Sequence, residues 1–194
     1  MKTASSPSSS RRPALAAVLA TALAALLVGC QTSSPRADSA RLEPLRAIDR
    51  PVDLERFMGD WYVIAHIPTF IEKEAYNGVE TYRLAEDGTI PTTYTFNKGG
   101  FDGPLKTYNP RGFVHNRETN AEWRMRFVWP FKAAYLIVYL DEKYETTIIG
   151  VPDRDYAWIM ARSKTLPEAR YQELVAQLAE TGHDVSKLRL VPQR

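Results

Sequence analysis

Cysteine occurs once in the 194 residues, at Cys30, so no intrachain disulfide can hold this chain together. Histidine is nearly as scarce: His66, His115 and His183 stand far apart, with no His-x-x-x-His or matching carboxylate spacing of a zinc site. No Gly-x-Ser-x-Gly segment offers a nucleophile elbow. Asp153 and Asp155 come closest to paired acid–base carboxylates, and a tight turn at Asp153-Arg154-Asp155 accounts for both. These absences argue against an enzyme and against a bound metal or cofactor. Long apolar runs are missing too. The stretch Pro13 to Gly29 is rich in Ala and Leu but falls short of the roughly 20 residues a spanning helix needs. Nor is there a large charge of one sign. The formal +2 contains Lys2, Arg11 and Arg12 from the first 29 residues, which hold no acid, so the remainder carries −1. A polyanion-binding surface, nucleic acid included, has no compositional support.

The apolar run behind a basic start has the form of a secretory signal. It ends in Leu27-Val28-Gly29-Cys30, which resembles the lipobox of bacterial lipoproteins. That resemblance implies cleavage after Gly29 and acylation of the Cys30 sulfur, and Ser10-Arg11-Arg12 is only a fragment of a twin-arginine signal. Gln31 stands where many inner-membrane lipoproteins carry aspartate, so the expected location is the cell outer membrane. The organisation read from the sequence is a signal peptide over 1–29, a flexible tether over 30–50, rich in Ser, Pro, Arg and Ala, and one domain over 51–194.

Within the domain, Val52 to Met58 reads as a turn-like segment. Short runs rich in Tyr, Phe, Thr, Val, Ile and Trp then follow, bounded by turn residues. They predict strands over Asp60–Ile67, Gly78–Leu84, Ile90–Lys98, Gly112–His115, Glu122–Phe127, Ala134–Asp141, Thr146–Val151 and Tyr156–Arg162, with tight turns at Glu86-Asp87-Gly88 and Asp153-Arg154-Asp155. Eight such strands at even spacing indicate an all-β up-and-down barrel or a sandwich. One helix is expected after them. Thr165 and Glu168 form a capping box, Pro167 lies in the first turn, and Tyr171, Leu174, Val175 and Leu178 make a single apolar stripe before Gly182. A stripe on one face means that the helix packs outside the strands. A last strand is expected at Leu188–Val191.

The fifth strand carries the clearest pattern. Trp123, Met125, Phe127 and Trp129 alternate with Glu122, Arg124, Arg126 and Val128, which puts large apolar side chains on one face. In the eighth, Tyr156, Trp158, Met160 and Arg162 share a face. An eight-stranded barrel is just wide enough to be filled by side chains or to hold one small ligand, and alternation alone leaves both open.

Gly59-Asp60-Trp61-Tyr62, with Ile64-Ala65 and Pro68 after it, resembles the first signature of the lipocalins, within the calycins. Asp141-Glu142-Lys143-Tyr144 is similar to their second, with Leu140 and Glu142 in place of the usual threonine and tyrosine, and Arg162 matches the third. Asn97-Lys98-Gly99, Pro130-Phe131 and Pro152-Asp153-Arg154-Asp155-Tyr156 with Trp158-Ile159 resemble the bacterial outer-membrane, apolipoprotein D-like branch. The resemblance implies an eight-stranded antiparallel barrel with the C-terminal helix outside. It gives Gly59, Trp61, Asp141, Tyr144 and Arg162 structural roles, with the Arg162 guanidinium across the Trp61 indole. It also implies a ligand pocket of Phe57, Tyr82, Asn97, Phe127, Tyr135, Trp158 and Met160; Met125 joins by strand parity. Tyr94 and Phe96 cannot be given a face, because Thr93, Thr95 and Asn97 compete for the inside, and Lys98 and Lys132 read as surface lysines in preference to head-group contacts at a mouth.

The function so implied is a membrane-anchored carrier that holds a fatty acid or lysophospholipid for storage, transport or scavenging, with a homodimer left open. Two other classes compete with it: a non-catalytic envelope interaction protein with a filled barrel, and a carrier of another hydrophobic ligand such as haem or bilin.

Overall fold

The computed structural model describes residues 42–194. Ten strands build one sheet: β1 (Gly59–Ile67), β2 (Ala75–Tyr82), β3 (Thr89–Lys98), β4 (Leu105–Tyr108), β5 (Arg111–Val114), β6 (Glu122–Val128), β7 (Phe131–Leu140), β8 (Thr146–Gly150), β9 (Ala157–Ala161) and β10 (Arg189–Leu190). All pairings are antiparallel, in the order β1-β2-β3-β5-β6-β7-β8-β9 with β4 also on β3, and β1 pairs β9, which closes the sheet into a barrel. Closure leaves no long free edge. The wall counts eight because β4 and β5 act as one strand. Both pair with β3 in a single register, Asn97↔Leu105 through Thr89↔Phe113, and Asn109-Pro110 merely interrupts them. β4 is absent from the strands expected above: Leu105, Lys106, Thr107 and Tyr108 lie between two prolines and show no apolar alternation.

β1 changes parity along its length. Trp61 and Val63 point into the barrel; a register shift between Val63 and Ala65 then turns Ala65 and Ile67 outward. A bulge inserts one residue and so reverses every later side chain. β1 pairs with β2 only over Gly59–Tyr62. Past that, β10 takes the place of β2 beside Ala65 and His66, and the Gln193 amide donates to the carbonyls of Val63 and Gly78. The final strand is thus shorter than the expected Leu188–Val191 and serves as a wedge between two diverging strands.

Two apolar clusters result. One fills part of the barrel; the other joins Ala65, Ile67, Ile148, Ala157 and Ile159 on the outer wall to Leu174 and Leu178 of the C-terminal helix α2 (Glu168–Glu180). Burying each of those leucines stabilises the pair of layers by about 2 kcal/mol. β8 is buried over its whole length for the same reason: Ile149 faces the interior and Ile148 the helix. The expected capping box does not form. Pro167 occupies the N-cap position without a side-chain hydrogen bond, so Thr165 and Glu168 make no reciprocal pair. The turn expected at Val52–Met58 contains instead a short helix α1 (Leu54–Phe57), capped by Asp53, whose carboxylate accepts from the Arg56 amide at 3.1 Å.

The segment expected as a tether touches the barrel over its last residues. The Glu43 carbonyl accepts from Arg154 at 2.6 Å, the Ile48 amide donates to Ile137 at 2.9 Å, and Ala47 and Ile48 pack against the interior cluster. Cys30, the expected signal peptide and the first part of the expected tether lie outside the described residues.

Candidate ligand-binding site

The barrel is filled at one end and hollow at the other. At the filled end α1 places Phe57 over the strands, its ring 5.0 Å from Trp61 and 5.4 Å, edge-on, from Trp123. Tyr82 sits 5.7 Å from Trp123, and Tyr135 stacks on the other side of that indole at 5.5 Å. The indole nitrogens do not stay orphaned. Trp61 donates to the Phe57 carbonyl at 2.8 Å and Trp123 to that of Asn120 at 2.7 Å.

The signature positions hold this plug from below. The Arg162 guanidinium lies 3.9 Å over the Trp61 ring and donates to the carbonyls of Arg56, Phe57, Met58 and Asp60 at 2.7–3.0 Å. Gly59 has φ +93° beside it, a conformation that side chains rarely adopt. Asp141 accepts the amides of Lys143 and Glu145, and the Tyr144 hydroxyl accepts the Asp53 amide at 2.9 Å, so the β7–β8 turn is bound to α1. Burial alone would raise the Asp141 carboxyl; hydrogen bonds from Thr146, Glu145 and Lys143 outweigh it and hold the group below its ordinary value.

Above the plug is a cavity of about 470 Å³. Its walls are Met125 and Phe127 of β6, Ala133, Ala134 and Tyr135 of β7, Tyr94 of β3 and Trp158 of β9, with Ile71 and Phe70 from the β1–β2 loop. At the mouth Phe70, Phe127 and Val128 remain exposed, as do Trp129 in the adjoining turn and Phe131 at the start of β7. A wider depression lies outside the barrel between β7–β8 and the start of α2, open to solvent and lined by charged groups such as Arg50, Asp141 and Arg170.

Of the eight residues expected to meet a ligand, Met125, Phe127, Tyr135 and Trp158 line the cavity. Phe57, Tyr82 and Met160 face inward but are wholly buried in the packed interior, below the hollow. Asn97 does not line it: its amide donates to the Gly103 carbonyl at 3.0 Å and its oxygen accepts from Asn77 at 3.2 Å. Lys132 lies over the Phe113 ring, and Lys98 is exposed at the end of β3. Tyr94 and Phe96, the residues without an assignable face, both point inward.

The polar members of the cavity escaped the sequence reading. Glu80 and Glu72 line it, 8% and 2% exposed. Glu80 carried a usable signal: it is two residues from Tyr82 on the same strand, so if Tyr82 points inward Glu80 must as well. The Tyr82 hydroxyl donates to Glu80 and also bonds the Tyr135 hydroxyl. Burial pushes the Glu80 carboxyl up to about 7, with the Glu72 charge adding to the rise and the tyrosine hydroxyls opposing it. Glu72 folds in from the β1–β2 loop and accepts from the Thr69 amide at 3.0 Å and the Trp158 indole at 3.3 Å. Burial would raise it, but His66, 3.7 Å away, and Thr69 outweigh that and lower it.

A family model described as a lipocalin-like domain matches residues 52–193. This chain is a lipocalin. It is 31% identical over 186 residues to the outer membrane lipoprotein Blc of Escherichia coli (strain K12), covering 91% of this chain and 95% of that protein. Temperature-induced lipocalin-1 of Arabidopsis thaliana is 33% identical over 156 residues, covering 73% of this lipocalin and 80% of the plant protein. Among solved structures apocrustacyanin C2 superposes with a TM-score of 0.59 at 13% identity, covering 73% of this lipocalin and 80% of that chain, a likeness of fold. The lipocalin thus has the closed barrel and helix of its family and an apolar cavity suited to a hydrophobic ligand. Among the described residues no group of three or more potential metal ligands occurs, and no helix is long and apolar enough to cross a membrane.

Proposed function

We propose that this lipocalin is a non-catalytic, membrane-anchored carrier that holds the hydrocarbon chain of a fatty acid or lysophospholipid in its barrel. The observation that carries the reading is the cavity of about 470 Å³, apolar along its walls and open at one end. Its size falls within the roughly 300–1,000 Å³ of sites that enclose small molecules. Each methylene drawn into it contributes about 0.8 kcal/mol, so a single acyl chain suffices for tight binding. Acylated Cys30 would hold the cavity beside its ligand source at high effective concentration. The outer membrane is the proposed site, in keeping with the name of the bacterial relative and with the lipobox-like segment. The exposed rim of Phe70, Trp129 and Phe131 supports supply from a lipid surface.

The test uses displacement of a fluorescent fatty acid from the mature domain, with native mass spectrometry for co-purified lipid. Trp158→Ala removes a wall of the cavity and is expected to weaken acyl binding about tenfold, equivalent to about 1.4 kcal/mol. Phe127→Ala, at an exposed rim position, should weaken it less and leave the unfolding temperature unchanged. Wild-type affinity in both variants would remove the cavity from consideration, and a protein that neither displaces the probe nor carries lipid would refute the carrier reading.

A further inference from the structure

The cavity is apolar on its sides but acidic within. Glu72 and Glu80 both line it, and no lysine, arginine or histidine does. Between them stands Tyr94, paired across the sheet with Glu80, 5% exposed, and close enough that both carboxylate charges act on it. Glu80 and Tyr135 have a partner inside the protein in Tyr82, and Glu72 has partners in the Thr69 amide and the Trp158 indole. The hydroxyls of Thr69 and Tyr94 have none at hydrogen-bond distance, Tyr94 lying toward the Glu72 carboxylate. A buried hydroxyl without a hydrogen bond is destabilising, and a bound group of suitable chemistry would relieve that.

That chemistry has a sign. A carboxylate or phosphate brought this deep would meet two acids with no lysine, arginine or histidine on the described cavity wall, and unpaired buried charge is strongly unfavourable. An ammonium group brings N–H donors for the carboxylate oxygens of Glu72 and Glu80 and the oxygen of Tyr94, and its charge offsets theirs. His66, the nearest basic side chain, sits behind Glu72 and leaves the cavity side of the cluster open.

We propose that Glu72, Glu80 and Tyr94 form a head-group site for a long-chain amine, which enters nitrogen first and leaves its hydrocarbon chain along Met125, Phe127 and Trp158. Anionic single-chain lipids enter the same cavity tail first, with the head at the mouth. This deepens the carrier reading and rests on it.

The experiment compares an alkylamine, an alkanol and an alkanoic acid of one chain length, each displacing the same neutral fluorescent probe at pH 7.5. The amine is expected to bind about tenfold more tightly than the acid. Tyr94→Phe, which removes only the hydroxyl, should cut that preference several-fold, and Glu72→Gln should cut it as well; the acid should bind all three proteins within about a factor of two. A Glu72→Gln protein that fails to fold leaves Tyr94→Phe as the deciding variant. Equal binding of amine and acid, or an amine preference that survives Tyr94→Phe unchanged, overturns the head-group site and leaves the carrier intact. If none of the three amphiphiles displaces the probe, the carrier reading fails and this one with it.

Discussion

Arg162→Ala is expected to lower the unfolding temperature of the domain by about 6–12 °C, the equivalent of about 3 kcal/mol. α1 ends after a single turn, so the last carbonyls of the helix have no amide above them. One guanidinium collects those of Arg56, Phe57 and Met58, adds that of Asp60 at the start of β1, and covers the Trp61 ring. Its positive charge also suits the C-terminal end of a helix. Truncation leaves these carbonyls poorly solvated above a gap in the barrel floor. Arg162→Lys should recover less than half of the loss, because a single ammonium cannot span four acceptors and a ring face. Thermal unfolding followed by circular dichroism measures both variants. A loss below about 2 °C for the alanine protein would mean that the floor closes without this residue.

The second large effect concerns charge. Glu80→Gln is expected to stabilise the protein by about 3 kcal/mol at pH 8 and by less than about 1 kcal/mol at pH 5. The carboxyl is raised, chiefly by burial, from its ordinary 4.5 to about 7. The folded protein therefore holds a proton here that the unfolded chain has already released. The stability so contributed is complete below about pH 4.5 and is lost as the pH climbs through about 7. Above that the fold carries an ionised carboxylate in an apolar hollow. Glutamine keeps an acceptor for the Tyr82 hydroxyl and never ionises. Glu72 works in the opposite direction: its lowered value gives stability above the ordinary carboxylate range that disappears on acidification. Denaturant titrations of wild type and Glu80→Gln across pH 5–8 separate the two. A gap between the proteins that does not change with pH would show that Glu80 is not the titrating group.

Much of the architecture could be read from local pattern. Trp123, Met125 and Phe127 share a face because β-strand side chains alternate, and the turn residues between strands mark where the wall reverses. The failures have physical causes. β4 lacks apolar alternation and is a strand only because β3 extends past β5 and supplies partners for it. His66 lies on the inner side of β1 only because of the bulge at Val63–Ala65, and nothing in that sequence announces one. Thr165 and Glu168 spell a capping box that the helix does not use, since α2 starts two residues later, with Pro167 and not Thr165 at its N-cap. The buried glutamates are hard to read from sequence because acidic residues are expected in water, although Glu80 shares the parity of Tyr82.

The amino-acid order alone determined the all-β class, the number of walls, the outer helix and the face on which most large side chains lie. Each depends on a repeat of two or of about 3.6 residues that neighbours in the chain express together. Height inside the barrel was decided only on folding. Phe57, Tyr82 and Met160 face the interior as Met125 and Trp158 do, yet the first three are packed solid and the last two border a void. Empty space belongs to no single strand. It is what remains after α1 plugs one end and side chains from separate strands meet across the axis, so only their arrangement in three dimensions could locate it.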